Sequence, residues 1–455
     1  MSDYLPQELL VDIFTKLPVK SILRCRSVCK SWYSLLTSPS FTFTHLNRKR
    51  DDHMLIRNYG RSTRLDMYPL FGNNERLDPD HFLDFSFRRG SVSIVGSVNG
   101  ILCLADTDTD ADTDTDADAD TDADADSAIL THLYFCNLSI RKSVKLPEPV
   151  RSTYRFTLGF GFDSVTNDYK VVRVVHAMGQ SKPHADLYKL STGVWEDISN
   201  VPEPYILISI EPQGPQVYVN GACHWITTKL EFTPARRNRR VILVFNMHDE
   251  TFSDMILPSS LISESQTHFD EVFLFASEGC LCLVDNNYDK REPIKIWMMK
   301  EYGVPDSWEK QFSIQNYHFA LHFPLREDIF WTPYLGTAAP TEFEFANDFI
   351  KPMAIRKNGE ILWKGSQRLL VSVDHTIGRF TDIDIGNSSN DWCYNPRYVN
   401  FYKESLVLPD RWTNNCVGDA CEESSDLWKR DPKDGKKRIS RAKSNIESGV
   451  HLFLT

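Results

Sequence analysis

Apolar positions change their period along this chain. Between residues 5 and 36 they recur at helical spacing. Leu9, Leu10, Ile13, Phe14 and Leu17 fall at i, i+1, i+4, i+5 and i+8, a broad stripe on one helix. Pro6 fits the first helical position, where its missing N–H costs nothing, and Pro18 stops the helix. Val28, Trp32, Leu35 and Leu36 mark another helix that ends near Pro39, and a short helix between them presents Ile22 and Leu23. Three such helices are too little chain to bury this apolar surface alone, because units below about 40 residues usually need help. The pattern predicts an exposed apolar face that awaits a partner.

From about residue 85 to 409 the texture becomes short β-like runs broken by Gly, Asn, Asp and Pro. The runs are Val92–Gly96, Ile101–Ala105, Leu133–Asn137, Lys170–Val175, Leu187–Leu190, Val217–Asn220, Ala222–Thr227, Val241–Met247, Val272–Ala276, Leu281–Val284, Ile294–Met298 and Ile361–Trp363. Asn99-Gly100, Asn220-Gly221, Glu278-Gly279 and Asn358-Gly359 read as hairpin turns, since such pairs supply positive-φ residues. A strand, a polar turn and a return strand ending in Leu-Pro recur over Leu133–Pro147 and Val241–Pro258, with a weaker echo at Asn400–Pro409. With the 106–126 tract discounted, this length holds about six to eight four-stranded blades at roughly 40–50 residues each. A single sandwich needs only about 100 residues. The expected fold class is α+β and multidomain: an N-terminal three-helix unit, then a mainly antiparallel β-propeller. The expected divisions are helices over 1–45, a connector over 46–84, the propeller over 85–409 and a polar, basic, disordered tail over 410–455.

Charge alters this picture only locally. The net charge of −11 reflects 51 basic and 62 acidic residues, but eleven of the acids alternate with Thr or Ala between Asp106 and Asp126. Without that run the chain is formally neutral, which argues against a nucleic-acid binder. The run itself cannot bury a face and reads as a solvated surface loop. Calcium is the sharper reading of its Asp-x-Asp spacing, but the Gly turn and distal Glu of a calcium loop are missing. No cationic start leads into an apolar signal region, and no apolar run approaches the 18 or so residues that span a bilayer. Ten scattered cysteines form no disulfide framework, so the expected compartment is the cytosol, the nucleus or both.

Leu5-Pro6, Ile13-Phe14, Leu17-Pro18 and Arg24-Cys25-Arg26-Ser27-Val28-Cys29-Lys30-Ser31-Trp32 stand in the order and spacing of the F-box, which this segment resembles. The resemblance implies docking on a Skp-type adaptor and, through it, on cullin and RING subunits of a ubiquitin ligase. Carried onto matching positions, it implies an adaptor face of Leu5, Pro6, Leu9, Leu10, Ile13, Leu17, Pro18, Ile22 and Leu23. Val28, Trp32 and Leu36 are expected to hold the helices together. Any one leucine of the stripe is also open to ordinary core packing.

The β region resembles the F-box-associated, kelch-like part of a large plant family. The carrying stretches are Gly96-Ser97-Val98-Asn99-Gly100-Ile101-Leu102-Cys103-Leu104, Leu158-Gly159-Phe160-Gly161-Phe162-Asp163 with Asn167-Asp168-Tyr169-Lys170-Val171-Val172, and Val219-Asn220-Gly221-Ala222-Cys223-His224-Trp225. The family's Asn-Pro strand end is Asn137-Leu138 here, and the Gly-Gly doublets of true kelch repeats are absent. The implied role is the substrate-recognition subunit of an SCF-type ligase, which binds a protein target through the propeller and has no catalytic residues or cofactor of its own. A non-ligase F-box interaction protein and a glycan-binding or enzymatic propeller are the alternatives.

Zinc and catalysis fare less well. Cys25 with Cys29 lacks a second pair at finger spacing, and His318 with His322 lacks a zincin-type Glu. Cys280 and Cys282 read as blade core. No nucleophile elbow or phosphate-binding loop is present. A basic run from Lys429 to Lys443 reads either as a solvated tail or as a nuclear address or nucleic-acid contact. Trp195, Trp225, Trp297, Trp308 and Trp363 fit blade packing or a binding face equally well.

Overall fold

A computed structural model describes residues 6–48, 53–60, 65–71, 79–83, 91–107, 131–149, 156–175, 184–198, 205–206, 216–230, 238–261, 270–287, 293–314, 351–356, 358–364, 370–374, 376, 379–383 and 394–407. Helices α1 (Gln7–Thr15), α2 (Val19–Cys25), α3 (Lys30–Thr37) and α4 (Pro39–Asn47) precede six antiparallel sheets. Strands β1 (His53–Gly60), β2 (Leu65–Phe71) and β3 (Pro79–Leu83) open the first blade. The second contains β4 (Ser91–Val98), β5 (Ile101–Thr107), β6 (Thr131–Asn137) and β7 (Lys142–Lys145). The third contains β8 (Phe156–Asp163), β9 (Asp168–Val175), β10 (His184–Lys189) and β11 (Val194–Asp197). In the fourth, β12 (Tyr205–Ile206) and β13 (Val217–Val219) both pair with β14 (Ala222–Leu230), followed by β15 (Asn238–Asn246) and β16 (Thr251–Met255). The fifth holds β17 (Asp270–Ser277), β18 (Cys280–Asn287), β19 (Ile294–Met299) and β20 (Trp308–Ile314). The sixth holds β21 (Lys351–Ile355), β22 (Ile361–Lys364), β23 (Leu370–Asp374) and β24 (Arg379–Ile383). The last strand, β25 (Tyr394–Tyr402), returns to β1 and supplies the inner strand of the first blade. Inner strands then touch in a closed circuit: β25 with β4, β4 with β8, β8 with β13, β13 with β17, β17 with β21, and β21 with β25. This is a six-bladed propeller.

Packing explains why these strands read as apolar runs rather than alternations. Each blade is covered on both faces by its neighbours, so both sets of alternating side chains are buried. In β5, Leu102 and Leu104 face the first blade while Ile101, Cys103 and Ala105 face the third. Val171 and Val172 divide in the same way between the second and fourth. The five tryptophans noted above all join these interblade clusters, with Trp363 fully buried. Cys282 is buried between the fifth and sixth blades, and Cys280 is half-buried.

The Gly159 and Gly161 pair of β8 has a steric origin. Trp225 and Tyr218 of the fourth blade lie against its backbone, and a Cβ would stand 2.5 Å from the Trp225 ring at Gly159 and 2.6 Å from the Tyr218 ring at Gly161. Those rings also close hydrogen bonds, Trp225 Nε1 to the Leu158 carbonyl at 3.2 Å and Tyr218 Oη to the Phe162 carbonyl at 2.6 Å. Gly159→Ala is expected to destabilise the protein by about 1–3 kcal/mol, the usual range for overpacking. An unchanged urea midpoint would show that the ring and strand separate freely.

Two expectations need correction and a third is narrowed. Residues 6–48 form four helices, because Pro39 starts one as well as ending another: it occupies the first turn of α4, and the Ser38 hydroxyl accepts from the Phe41 amide at 3.3 Å. The stretch 46–84 carries the end of α4 and strands β1, β2 and β3, so it is not merely a connector. Of its strands, β1 pairs with β25 from the far end of the chain, a pairing that no local turn signal announces. The blade number is six, the lower end of the expected six to eight.

All twelve predicted β runs overlap strands. Asn99-Gly100, Asn220-Gly221 and Glu278-Gly279 have positive φ at both residues, while the fourth turn has it at Gly359 but not at Asn358. Of the acidic run, Asp106 lies in β5 and the rest falls outside the described residues, as does 410–455. No helix among the described residues is long and apolar enough to cross a membrane.

Candidate adaptor-docking face

The two Leu-Pro pairs build equivalent helix starts. Pro6 and Pro18 take the N-cap positions of α1 and α2, each just ahead of the first helical residue. Their carbonyls accept from the amides of Leu9 and Leu10, and of Ser21 and Ile22, at 3.0–3.2 Å. Phe14, Val19, Ile22, Leu36 and Phe41 then form the buried core of the helices. Trp32 packs edge-on to Phe14 with ring centroids 4.8 Å apart. Arg26 ties the end of α2 to α3 by donating to the Leu36 carbonyl at 3.0 Å.

This arrangement sorts the expected adaptor residues. Leu9 is 51% exposed and Ile13 46%, one turn apart on α1, and Pro6 and Pro18 are exposed beside them in the sequence. Leu10, Leu17 and Leu23 are half-buried against the helical core. Ile22 is fully buried and belongs to that core, not to an open face. Leu5 lies outside the described residues. Of the three residues expected to hold the helices together, Trp32 and Leu36 do so, but Val28 is 63% exposed in the turn before α3. Among the described residues, nine large apolar side chains are exposed, and five of them, Leu9, Ile13, Val28, Tyr33 and Phe43, fall within the helices and their turns. An apolar concentration of this kind on so short a segment marks an interaction surface.

The helices sit at one end of the propeller. Ile140, in the turn after β6, and Leu406, past β25, both pack into the helical core. That end carries the short turns between the first two strands of the second to fifth blades, such as Asn99-Gly100 and Asn220-Gly221. The opposite strand ends are where β5 finishes and β6 begins, and where β20 finishes and β21 begins. One end of the propeller therefore anchors the helices.

The remaining sequence motifs have structural roles. Fully buried His224 engages the Val217 carbonyl through Nδ1 at 2.9 Å and the Tyr302 hydroxyl through Nε2 at 2.8 Å, bridging the fourth and fifth blades. Burial pushes its pKa down to about 4, so it stays neutral. Lys170, also buried, reaches Asp163 Oδ2 at 3.0 Å, the Met247 carbonyl at 2.6 Å and Glu250 Oε1 at 2.9 Å, joining the third and fourth blades. Lys189 extends the chain of charges to Glu196 and Glu250 at 2.9 and 2.8 Å. Among the described residues no group of three or more His, Cys, Asp or Glu is placed to hold a metal. Cys25 packs against the helical core, Cys29 is exposed with Sγ 3.2 Å from the Ser31 hydroxyl, and His318 and His322 lie outside the described residues.

Comparison with known proteins agrees with this division. The F-box-like family matches residues 2–49, and the F-box associated beta propeller domain family matches residues 136–408. "F-box protein At3g07870" of Arabidopsis thaliana is 27% identical over 406 residues, covering 83% of this chain and 87% of its own. "F-box protein CPR1" of the same plant is 28% identical over 328 residues, covering 69% of this chain and 73% of its own. "F-box/kelch-repeat protein At3g23880", also from Arabidopsis thaliana, is 25% identical, covering 68% and 79% respectively. Both families are typically those of non-catalytic adaptor or receptor proteins, and an F-box-like domain implies a Skp-type adaptor as partner. The chain belongs to the plant F-box proteins that carry an F-box associated β-propeller domain.

Proposed function

We propose that this protein is the substrate-recognition subunit of an SCF-type ubiquitin ligase. The helices dock on a Skp-type adaptor, which brings the cullin and RING subunits, while the propeller holds a target protein for ubiquitination and proteasomal degradation. Exposed Leu9 and Ile13, on the segment that matches the F-box-like family, carry this reading. The subunit needs no reactive residue for the purpose. Holding a target lysine near a charged conjugating enzyme raises its effective concentration, and proximity supplies the rate. The end opposite the helices, where strands of separate blades come together, forms the reading end. The cytosol and nucleus, where the ligase machinery and reduced thiols coexist, are the compartments this role requires.

The test is purification of the tagged full chain from plant cells with the proteasome inhibited. Adaptor, cullin and RING subunits should co-purify with a ubiquitinated protein, and the same protein should accumulate when the chain is depleted. Recovery of adaptor without cullin would sink the ligase assignment.

A further inference from the structure

The residues just past β25 hold the propeller and the helices at once. Fully buried Asn137, at the end of β6, donates from Nδ2 to the Val407 carbonyl at 2.8 Å, the Ser405 carbonyl at 3.2 Å and the Ser405 hydroxyl at 3.1 Å. Its Oδ1 accepts from the amides of Ser139 and Ile140 at 2.9 and 3.4 Å, which fixes the amide orientation. The Tyr402 hydroxyl meets the Ser139 hydroxyl at 2.8 Å. On the other side the Asn99-Gly100 turn presses on the same segment: a Cβ at Gly100 would stand 2.5 Å from the Lys403 carbonyl oxygen and collide with the Ser405 hydroxyl. Beyond this clasp the side chains divide. Leu406 is buried among Phe14, Val19, Ile22, Leu36 and Phe41 of the helices, while Val407 packs between the second and third blades.

We propose that residues 403–407 form a latch that makes rigid docking of the helices conditional on closure of the propeller. The first blade has no inner strand until β25 pairs with β1. That pairing delivers 403–407 to Asn137 and Gly100, and so offers Leu406 to the helical core. A ring that has not closed carries its helices on a loose tether, whereas a closed ring presents them in one orientation. The coupling is reciprocal, because two sites that bias one bistable element must bias each other. If the helices hold an adaptor and the far end holds a target, the latch sets the span between them. That consequence rests on the function proposed above, but the latch does not.

The fold contains its own control. Gly100, Gly221 and Gly279 occupy equivalent positive-φ turns, with φ of 78°, 76° and 78°, yet a Cβ at Gly221 or Gly279 meets nothing within 4 Å. Alanine at any of them strains the turn alike, and only at Gly100 does it also displace the latch. Amide hydrogen exchange on the full chain reads the difference. Gly100→Ala should speed exchange in α1, α2 and α3 by roughly tenfold or more while β9 and β18 keep native protection. Gly221→Ala and Gly279→Ala should leave the helices unchanged. In reverse, Phe14→Ala, which opens the core around Leu406, should speed exchange in β25. Equal helix exchange in Gly100→Ala and Gly279→Ala would overturn the latch, and so would native protection of β25 in Phe14→Ala.

Discussion

Lys170→Met should lower the unfolding free energy by about 3–5 kcal/mol, the cost of leaving a buried charge without its partner. Methionine nearly fills the same volume, so the loss is electrostatic. The Asp163 side chain is fully buried, and Lys170 joins it to the fourth blade through Met247 and Glu250. Without the ammonium, the carboxylate keeps, among the described residues, the Thr166 hydroxyl and amide, the Val165 amide and His248 as partners. Adding Asp163→Asn should recover part of the loss, because the orphaned charge then disappears. A double mutant that costs the sum of the singles would mean that the pair is not coupled.

The same network predicts a direction with pH. Burial by itself would raise the Asp163 carboxyl, but hydrogen bonds from Thr166, Lys170, the Val165 amide and His248 outweigh it and hold the group far below the usual carboxylate range. Glu250 is likewise lowered, burial being outweighed by Lys189 and Lys170. Carboxyls depressed in the fold stabilise it fully above their unfolded values, near pH 4, and that contribution disappears as pH falls toward their folded values. The lysine end has the opposite sense. Burial would lower Lys189, but Glu250 and Glu196 raise it, so its contribution is complete below about pH 10 and is lost above. Urea midpoints measured from about pH 7 to pH 3 should therefore fall steeply in the native chain and less steeply in Lys170→Met, whose Asp163 is less depressed.

How much of this was legible in the sequence depended on the range of the contacts involved. The Asn-Gly turns and the apolar runs of the blades are local signals, and they marked strands over residues 91–314. Residues 53–83 carry comparable runs, among them buried Met54, Leu55 and Ile56, but their blade is completed from the far end of the chain. No local pattern encodes that pairing. Helical periodicity likewise found the stripe of α1 without separating its two uses. Ile22 and Val28 are both apolar and both within the motif, yet Ile22 points into the core and Val28 into solvent. Ile22 shares its core with Phe41 of α4, a helix that the sequence pattern hides because Pro39 reads as a stop and also starts α4. The glycines of β8 stand out as a motif, but their cause, two aromatic rings from the next blade, lies about 60 residues away.

Replacing Leu9 and Ile13 together by aspartate should remove the Skp-type adaptor while sparing the fold. Both side chains are about half exposed in the free chain, so aspartate there costs little, and substitutions at such sites usually change stability by about 0.5 kcal/mol or less. Docking, by contrast, would bury two apolar side chains worth roughly 1.5–3 kcal/mol each. Losing both contacts, and desolvating two carboxylates instead, should weaken binding by roughly a thousandfold or more, about 4 kcal/mol. Ile22→Asp supplies the contrast: it places a charge in the helical core and should unfold the helices, losing the adaptor for a different reason. Point changes are also a cleaner probe than deleting the helices, which would strip the cover from Leu406 and Ile140. With its propeller intact, the doubly substituted chain should still hold the target but no longer deliver it. Expressed in excess it should raise the abundance of the target, while the native chain lowers it. If the double variant keeps the adaptor at native affinity, the docking face lies elsewhere on the helices, and Val28 and Tyr33 become the residues to change.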